Sequence, residues 1–387
     1  MALPARVVDA RVASASDPVT RKRGNSHTLD LLRGLAALGV VAFHFDGFSA
    51  AQGYSVPLHE IGTLGVQMFF VLSGYFIGSS VLTPRAFDSV DYGVNRFLRI
   101  VPNYVVSLVI AIVALDSAAM LSREGWGDLA THLFFVQGWF FDYRVSISPV
   151  LWTLSVEWMF YLFMLAAAGL IRHRRGGWWI AFGMIAVGVV YRTVLWRQLE
   201  GDPQMLNFGY KQLPGTFDLF ACGLLVALLL RQDVVRRWAA RSGVKLVGLA
   251  LSVVGLLAAA VLYRDAPGRE YYAHGEMMIF FPLVFAVAAA GLVLFFQQYE
   301  HRIGPALDRS RLAFIGVMSY SIYLYHLIVI QLVSRHTDAD QRRWFYLPLV
   351  LLAIFAVSIA SYFLIERPFM ARRARVRERA HAALVVE

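Results

Sequence analysis

Cysteine is almost missing from this chain, charge is scarce, and nothing at its start resembles a secretory leader. Cys222 is the single cysteine among 387 residues, which excludes an internal disulfide and any cysteine-based metal site. Lying in an apolar stretch, it reads as packing. Charged residues make up 16% of the sequence, against about 25% in a typical soluble domain, so two soluble domains, which this length would allow, are disfavoured. Residues 1–28 contain Ala, Arg and Ser but no apolar signal core. They read as a short, disordered cytoplasmic extension. No internal repeat, low-complexity tract or appended soluble domain is evident.

What the sequence does have is apolar residues, 58% of the total, gathered in long blocks. A block of about 20 such residues covers the ~30 Å hydrocarbon core at helical rise. Its backbone must satisfy its own hydrogen bonds there, so it is read as helix. Ten spans are expected, at 29–50, 61–82, 100–121, 149–171, 177–196, 213–230, 244–263, 277–297, 312–333 and 345–365. The piece 129–141 is too short to cross and is expected to lie at the interface or re-enter. The fold class is therefore an all-α integral membrane protein, a polytopic bundle of about ten transmembrane helices. The expected domains are the extension 1–28, a membrane domain at 29–369 and a basic tail at 370–387.

The net charge of +10 is a topology signal rather than a nucleic-acid footprint. With residue 1 in the cytoplasm, the inward segments carry 24 Lys and Arg and the outward loops 9. That is the positive-inside asymmetry, and an even number of spans places the C-terminus in the cytoplasm too. Arg-rich 372–379 is then a tail held at anionic lipid.

Ionisable residues inside spans are the informative ones, because each is costly unless paired or water-lined. The first span holds Arg33 and His44. Eleven residues at 100° leave about 20° after three turns, so the two share a face some ~16 Å apart. Arg33 could equally snorkel, and His44 could be a hydrogen-bonded core residue. Glu157, in the fourth span, lies near the depth of His44; the two could form a general-base pair, or Glu157 could belong to a structural ion pair. Ser155 and Glu157 are 200° apart, so a regular helix points only one of them at a site. Arg96 and Arg99 lie one turn apart before Pro102, a forked cationic face suited to phosphate. Paired arginines also mark inner membrane edges, and Pro102 is expected to break or kink the start of the third span. Asp218 and His326 add further polar groups toward the outer half, and Ser73-Gly74 reads as close helix packing. Glu366-Arg367-Pro368 reads as a salt-bridged stop. Together these suggest a polar cavity with a phosphate-attracting cytoplasmic mouth.

These residues resemble acyltransferase family 3, the bacterial membrane enzymes that O-acylate sugars. The resemblance rests on Arg33 and His44 with ten residues between, FFVLSGYF at 69–76, RFLRIVP at 96–102 and WTLSVEW at 152–158. TFDLFACG at 216–223, SYSIYLYH at 319–326 and IERPF at 365–369 extend it over about 29 to 369. Each motif is weakly specific; their order and spacing are strongly so. The resemblance implies an acyl-CoA co-substrate entering from the cytoplasm, no bound cofactor, and a hydroxyl acceptor, commonly on a sugar. It implies that His44 is catalytic with Arg33 as motif partner, that Ser155 and Glu157 are the family's Ser-x-Glu motif, and that Arg96 and Arg99 hold the donor. Many members append an extracytoplasmic esterase-like domain. This chain resembles the stand-alone members, which acylate exopolysaccharide or macrolide antibiotics, and its Ala/Arg/Val-rich composition leans toward the macrolide-tailoring branch. The expected setting is a bacterial inner or plasma membrane, with no nucleic-acid partner.

The expected chemistry is deprotonation of a hydroxyl by His44, steadied by Glu157, with attack on a thioester; an acyl-histidine intermediate is the other route. His44 and His326 lack a third ligand for a metal. A proton-coupled transporter would also place His, Asp and Glu inside helices. It predicts two matching halves with interrupted helices, and no second copy is seen.

Overall fold

A computed structural model of the chain describes residues 26–49, 59–83, 87–115, 122–265, 274–336 and 346–371. Most of the extension 1–28 and most of the basic tail lie outside the described residues. In chain order the helices are α1 (His27–Ser49), α2 (Leu64–Val81), α3 (Ser89–Leu115), α4 (Arg123–Leu133), α5 (Trp152–Ala166), α6 (Ala168–Arg172), α7 (Gly176–Leu199) and α8 (Pro203–Tyr210). They continue with α9 (Phe217–Leu230), α10 (Asp233–Ala239), α11 (Ser242–Asp265), α12 (Gly275–Phe296), α13 (Glu300–Arg309), α14 (Leu312–Val317), α15 (Ser319–Arg335) and α16 (Tyr346–Ser361).

Among the described residues, eight helices are long and apolar enough to cross a membrane. They match eight of the expected spans. The fourth expected span falls on α5, an apolar helix of 15 residues, and the ninth is broken at Met318 into α14 and α15. Many large apolar side chains on α7, α11 and α12 face outward, as lipid-facing helices require.

Two departures from expectation shape the site. The third helix starts at Ser89 and runs through Pro102 unbroken, so Arg96 and Arg99 share one continuous helix with the span. Proline removes one amide and crowds the preceding turn, but it does not end this helix. At the other end of the chain, α16 continues into a π-helical turn, Tyr362–Glu366. The extra residue in that turn carries Glu366 inward, where it is buried; wide turns of this kind frequently sit at functional sites.

The centre of the bundle is the crossing of α2 and α9, where glycines let two backbones touch. A Cβ on Gly74 would lie 2.0 Å from the carbonyl oxygen of Phe220, and one on Gly223 would lie 2.0 Å from that of Val71. Phe70, Phe160 and Phe220 stack beside the crossing. Gly74 thus fulfils the close packing read from the sequence. Gly74→Ala is expected to cost about 1–3 kcal/mol, the penalty of overpacking, read as a lower unfolding midpoint in detergent. A midpoint equal to wild type would mean the helices separate freely there. The start of α1 is tied down by Glu300, whose carboxylate accepts from the amides of His27 (3.0 Å) and Thr28 (2.9 Å) and from Ser26 Oγ (2.7 Å).

Candidate active site

Helices α1, α2, α3, α5 and α15 line an open cavity. One part of its wall is cationic. Arg33 from α1 and Arg96 and Arg99 from α3 all line it, the last two on one face as their three-residue spacing dictates. The Arg96 guanidinium lies over the rings of Tyr92 (5.5 Å) and Tyr161 (5.6 Å), and its buried Nε has no hydrogen-bond partner. Arg33 is 3.9 Å from Asp30. Glu366 stands within electrostatic reach of Arg99 and Arg33 and accepts from Ser321 Oγ at 3.1 Å. It is therefore part of the cavity's charge balance, not a stop paired with Arg367, whose guanidinium lies over Phe363 instead.

Glu157 lines the same cavity. Its Oε1 accepts from Ser73 Oγ at 2.7 Å and from Tyr161 OH, and no hydrogen bond joins it to His44. The pairing of Glu157 with His44 suggested by their similar depth is therefore not formed. Depth along a helix leaves azimuth open, and α5 turns Glu157 toward the arginines. Ser155, 200° away, points to the other side as regular geometry requires. Its Oγ donates to the carbonyl of Phe135 at 2.7 Å, and it is not among the residues lining the cavity. Phe135 has φ +60 and stacks between Tyr104 and Trp158. Ser155 thus pins a strained turn. That turn belongs to the 129–141 piece, which folds back into the bundle with Gln137 fully buried.

Tyr323 lines the cavity as well. Its hydroxyl donates to the carbonyl of Val150 (2.9 Å) and lies 2.8 Å from Thr153 Oγ1; its ring packs edge-on against Phe69, 6.1 Å between centroids, and 5.7 Å from His326. Beyond it, His326 and His44 meet: Nε2 of His326 is 3.2 Å from Nδ1 of His44. His326 is fully buried, and its Nδ1 faces the carbonyls of Tyr323 (2.7 Å) and Ile322 (3.2 Å). Two acceptors require a proton on that nitrogen, which leaves Nε2 as a lone-pair acceptor. His44 Nδ1 lies 3.0 Å from the carbonyl of Val40, so it too faces acceptors only and carries its proton there. The hydrogen-bond partners thus assign the basic nitrogen of His44 to Nε2.

Sequence reasoning found His326 as an outer-half polar residue but gave it no role. It discounted the ninth-span tyrosines, Tyr323 among them, as an interfacial belt, and it missed Tyr161 and Asn103, the latter of which bonds Ser321, Tyr325 and Ser361. Helical rise had already put His326 and His44 in the same half of the bundle; a shared depth was the available signal. Asp218 forms a buried bidentate ion pair with Arg192, at 2.9 and 2.5 Å, and does not line the cavity.

Comparison with known proteins gives the arrangement its family. The chain is 26% identical to a putative peptidoglycan O-acetyltransferase, YrhL of Bacillus subtilis, over 88% of this chain and 54% of that protein. It is 27% identical to the peptidoglycan O-acetyltransferase OatA of Listeria monocytogenes, over 88% and 55%, and 28% identical to a putative membrane-bound transacylase, BcsY of Komagataeibacter xylinus, over 90% and 83%. It thus spans about half the length of the first two relatives. No solved structure matches. The family described as an acyltransferase domain, Acyl_transf_3, matches residues 26–364, and the chain belongs to that family of membrane acyltransferases.

Proposed function

We propose that this protein is an O-acyltransferase of a bacterial cell membrane, with ten spans and both termini cytoplasmic. It moves a short acyl group from acyl-CoA to a hydroxyl of a sugar-bearing acceptor. One observation carries the reading: three arginines line a cavity that also includes Tyr323, whose ring lies 5.7 Å from His326, the hydrogen-bond partner of His44. Arg96 and Arg99 are the donor's phosphate partners, since guanidinium suits phosphate geometry. Arg33 adds charge to the same mouth, and Glu157, held by Ser73 and Tyr161, limits the repulsion among the three. The thioester end of the donor extends toward Tyr323.

The transfer needs only proton management. His44 Nε2 takes the proton of the acceptor hydroxyl as its oxygen attacks the thioester carbonyl. The C–S bond breaks, and the imidazolium returns the proton to the departing CoA thiolate. The products are an ester and free CoA. His326 acts on this through His44: by accepting from Nδ1–H it holds the ring in the tautomer that leaves Nε2 basic. The named relatives favour a glycan acceptor over a macrolide.

Label transfer from radioactive acetyl-, propionyl- and isovaleryl-CoA to membrane glycans tests the assignment. Arg99→Gln is expected to raise the acyl-CoA concentration for half-maximal transfer about tenfold, the loss of roughly one hydrogen bond to a charged group. Dephospho-CoA esters should show a different sensitivity to Arg99→Gln and Arg96→Gln. No transfer with any donor, together with no CoA binding, would return the intramembrane His and Glu residues to a proton-coupled transporter.

A further inference from the structure

Among the described residues, Lys211 is a cation that no carboxylate pairs with. It follows α8, and its backbone amide caps that helix by donating to Asn207. Its ammonium lies 5.0 Å from the ring centroid of Trp152, the first residue of α5. Trp152 in turn packs edge-on against Phe70, which lines the cavity. His44 lies near enough to feel the charge of Lys211. No hydrogen bond or ion pair involves the Lys211 side chain among the described residues, although it is only partly exposed. Burial, and then the neighbouring charge of Arg144, hold its ammonium down at about 8. The group is still mostly charged at neutral pH.

A half-buried cation beside a second cation is unfavourable unless something anionic joins them. The one carboxylate acting on Arg144 is Asp142, which is exposed. Arg144 itself lies 3.6 Å from the Phe141 ring centroid and donates to the Phe141 carbonyl. The surroundings are held in place. Gln212 Nε2 donates to the carbonyl of Gly138 at 2.7 Å, and Gln137 Nε2 to that of Leu151 at 3.0 Å. Gln137 Oε1 is buried without a partner. A cation over an aromatic face that packs on the cavity wall, within electrostatic reach of His44, supplies the elements of a site for a charged sugar.

We propose that Lys211, with Arg144 beside it, is the anion-binding subsite for the acyl acceptor, holding a carboxylate or phosphate close to the sugar hydroxyl presented to His44. This rests on the acyltransfer reading above. The acceptor class is then an anionic glycan: a sugar bearing a carboxylate, or one linked through phosphate to its carrier.

The test uses the full chain in membranes, acetyl-CoA, and three acceptors: methyl glucoside, methyl glucuronide and glucose 1-phosphate. Wild type should use an anionic acceptor with kcat/KM about tenfold above the neutral one, the size of one hydrogen bond to a charged group. Lys211→Met should bring that acceptor down to the neutral level through KM, while Lys211→Arg should keep the preference. Whichever of carboxylate and phosphate is favoured names the source of the anion. Acetyl-CoA hydrolysis in the absence of acceptor reports on the transfer chemistry separately and should be equal in wild type and Lys211→Met. No preference in wild type, no use of any of the three while acetyl-CoA is hydrolysed, or an equal loss on all acceptors and on hydrolysis would each overturn the subsite. Absence of His44-dependent turnover altogether would instead remove the acyltransfer reading on which it rests.

Discussion

His44→Ala lowers acyl transfer about 10³-fold, within the ~10²–10⁴ range of a positioned general base, while CoA binding at the arginines stays at the wild-type level. The two halves of this expectation separate because the imidazole pair and the arginine cluster occupy different parts of the bundle, with Tyr323 between them. His326 gives the result its specificity. His326→Ala removes the acceptor that faces His44 Nδ1, so the His44 tautomer is no longer set by two partners but by Val40 alone. A loss in kcat of roughly 10²-fold with little change in KM for the donor is expected. His326→Gln puts an amide oxygen near the former Nε2 and should recover part of it. If alanine and glutamine at 326 were equally impaired, the residue would be a packing element. If His44→Ala kept wild-type transfer, the base would have to be sought among Glu157 and the cavity tyrosines.

How much of this could be read beforehand follows from what periodicity encodes. Apolar blocks mark helices whatever their neighbours are, and each of the ten expected spans coincides with helical residues. Helical rise gives depth, so the outer-half placement of His44 and His326 was legible. Pairing was not, because it depends on which helices lie side by side. His44 and His326 are 282 residues apart, and depth alone favoured Glu157 as the partner. The azimuth argument did better: 200° between Ser155 and Glu157 predicted that only one faces the site. The inward turn of Glu366 escaped because a π-turn shifts the register by a residue, and a regular helix would have left it at the edge. Arg192 escaped for a simpler reason. A lone arginine in an aliphatic helix is visible, but nothing in the sequence tells whether it snorkels or is buried.

Arg192 is buried, and replacing it by methionine is expected to destabilise the protein by about 3–5 kcal/mol, the cost of leaving one half of a buried ion pair behind. Both partners are fully inaccessible. Arg192 does more than neutralise Asp218. Its Nη1 donates to the carbonyl of Gly215 at 2.7 Å, and its Nε and Nη2 donate to the carbonyl of Ile279 at 3.1 and 2.9 Å. Ile279 lies one turn before Pro282 in α12. One side chain thus joins α7, the start of α9 and α12. The double variant Arg192→Met/Asp218→Leu removes both charges and should recover part of the loss, because an apolar pair avoids the lone carboxylate. It should not recover all, since the Ile279 and Gly215 carbonyls lose the hydrogen bonds donated by Arg192, at about 1 kcal/mol each. Unfolding of the purified protein across a detergent titration measures the three stabilities. Acyl transfer per folded molecule should be the same in all, because neither Arg192 nor Asp218 lines the cavity. A single variant that is stable yet inactive would place this pair in the reaction and contradict the division between a structural ion pair on α7 and α9 and the proposed catalytic imidazole pair on α1 and α15.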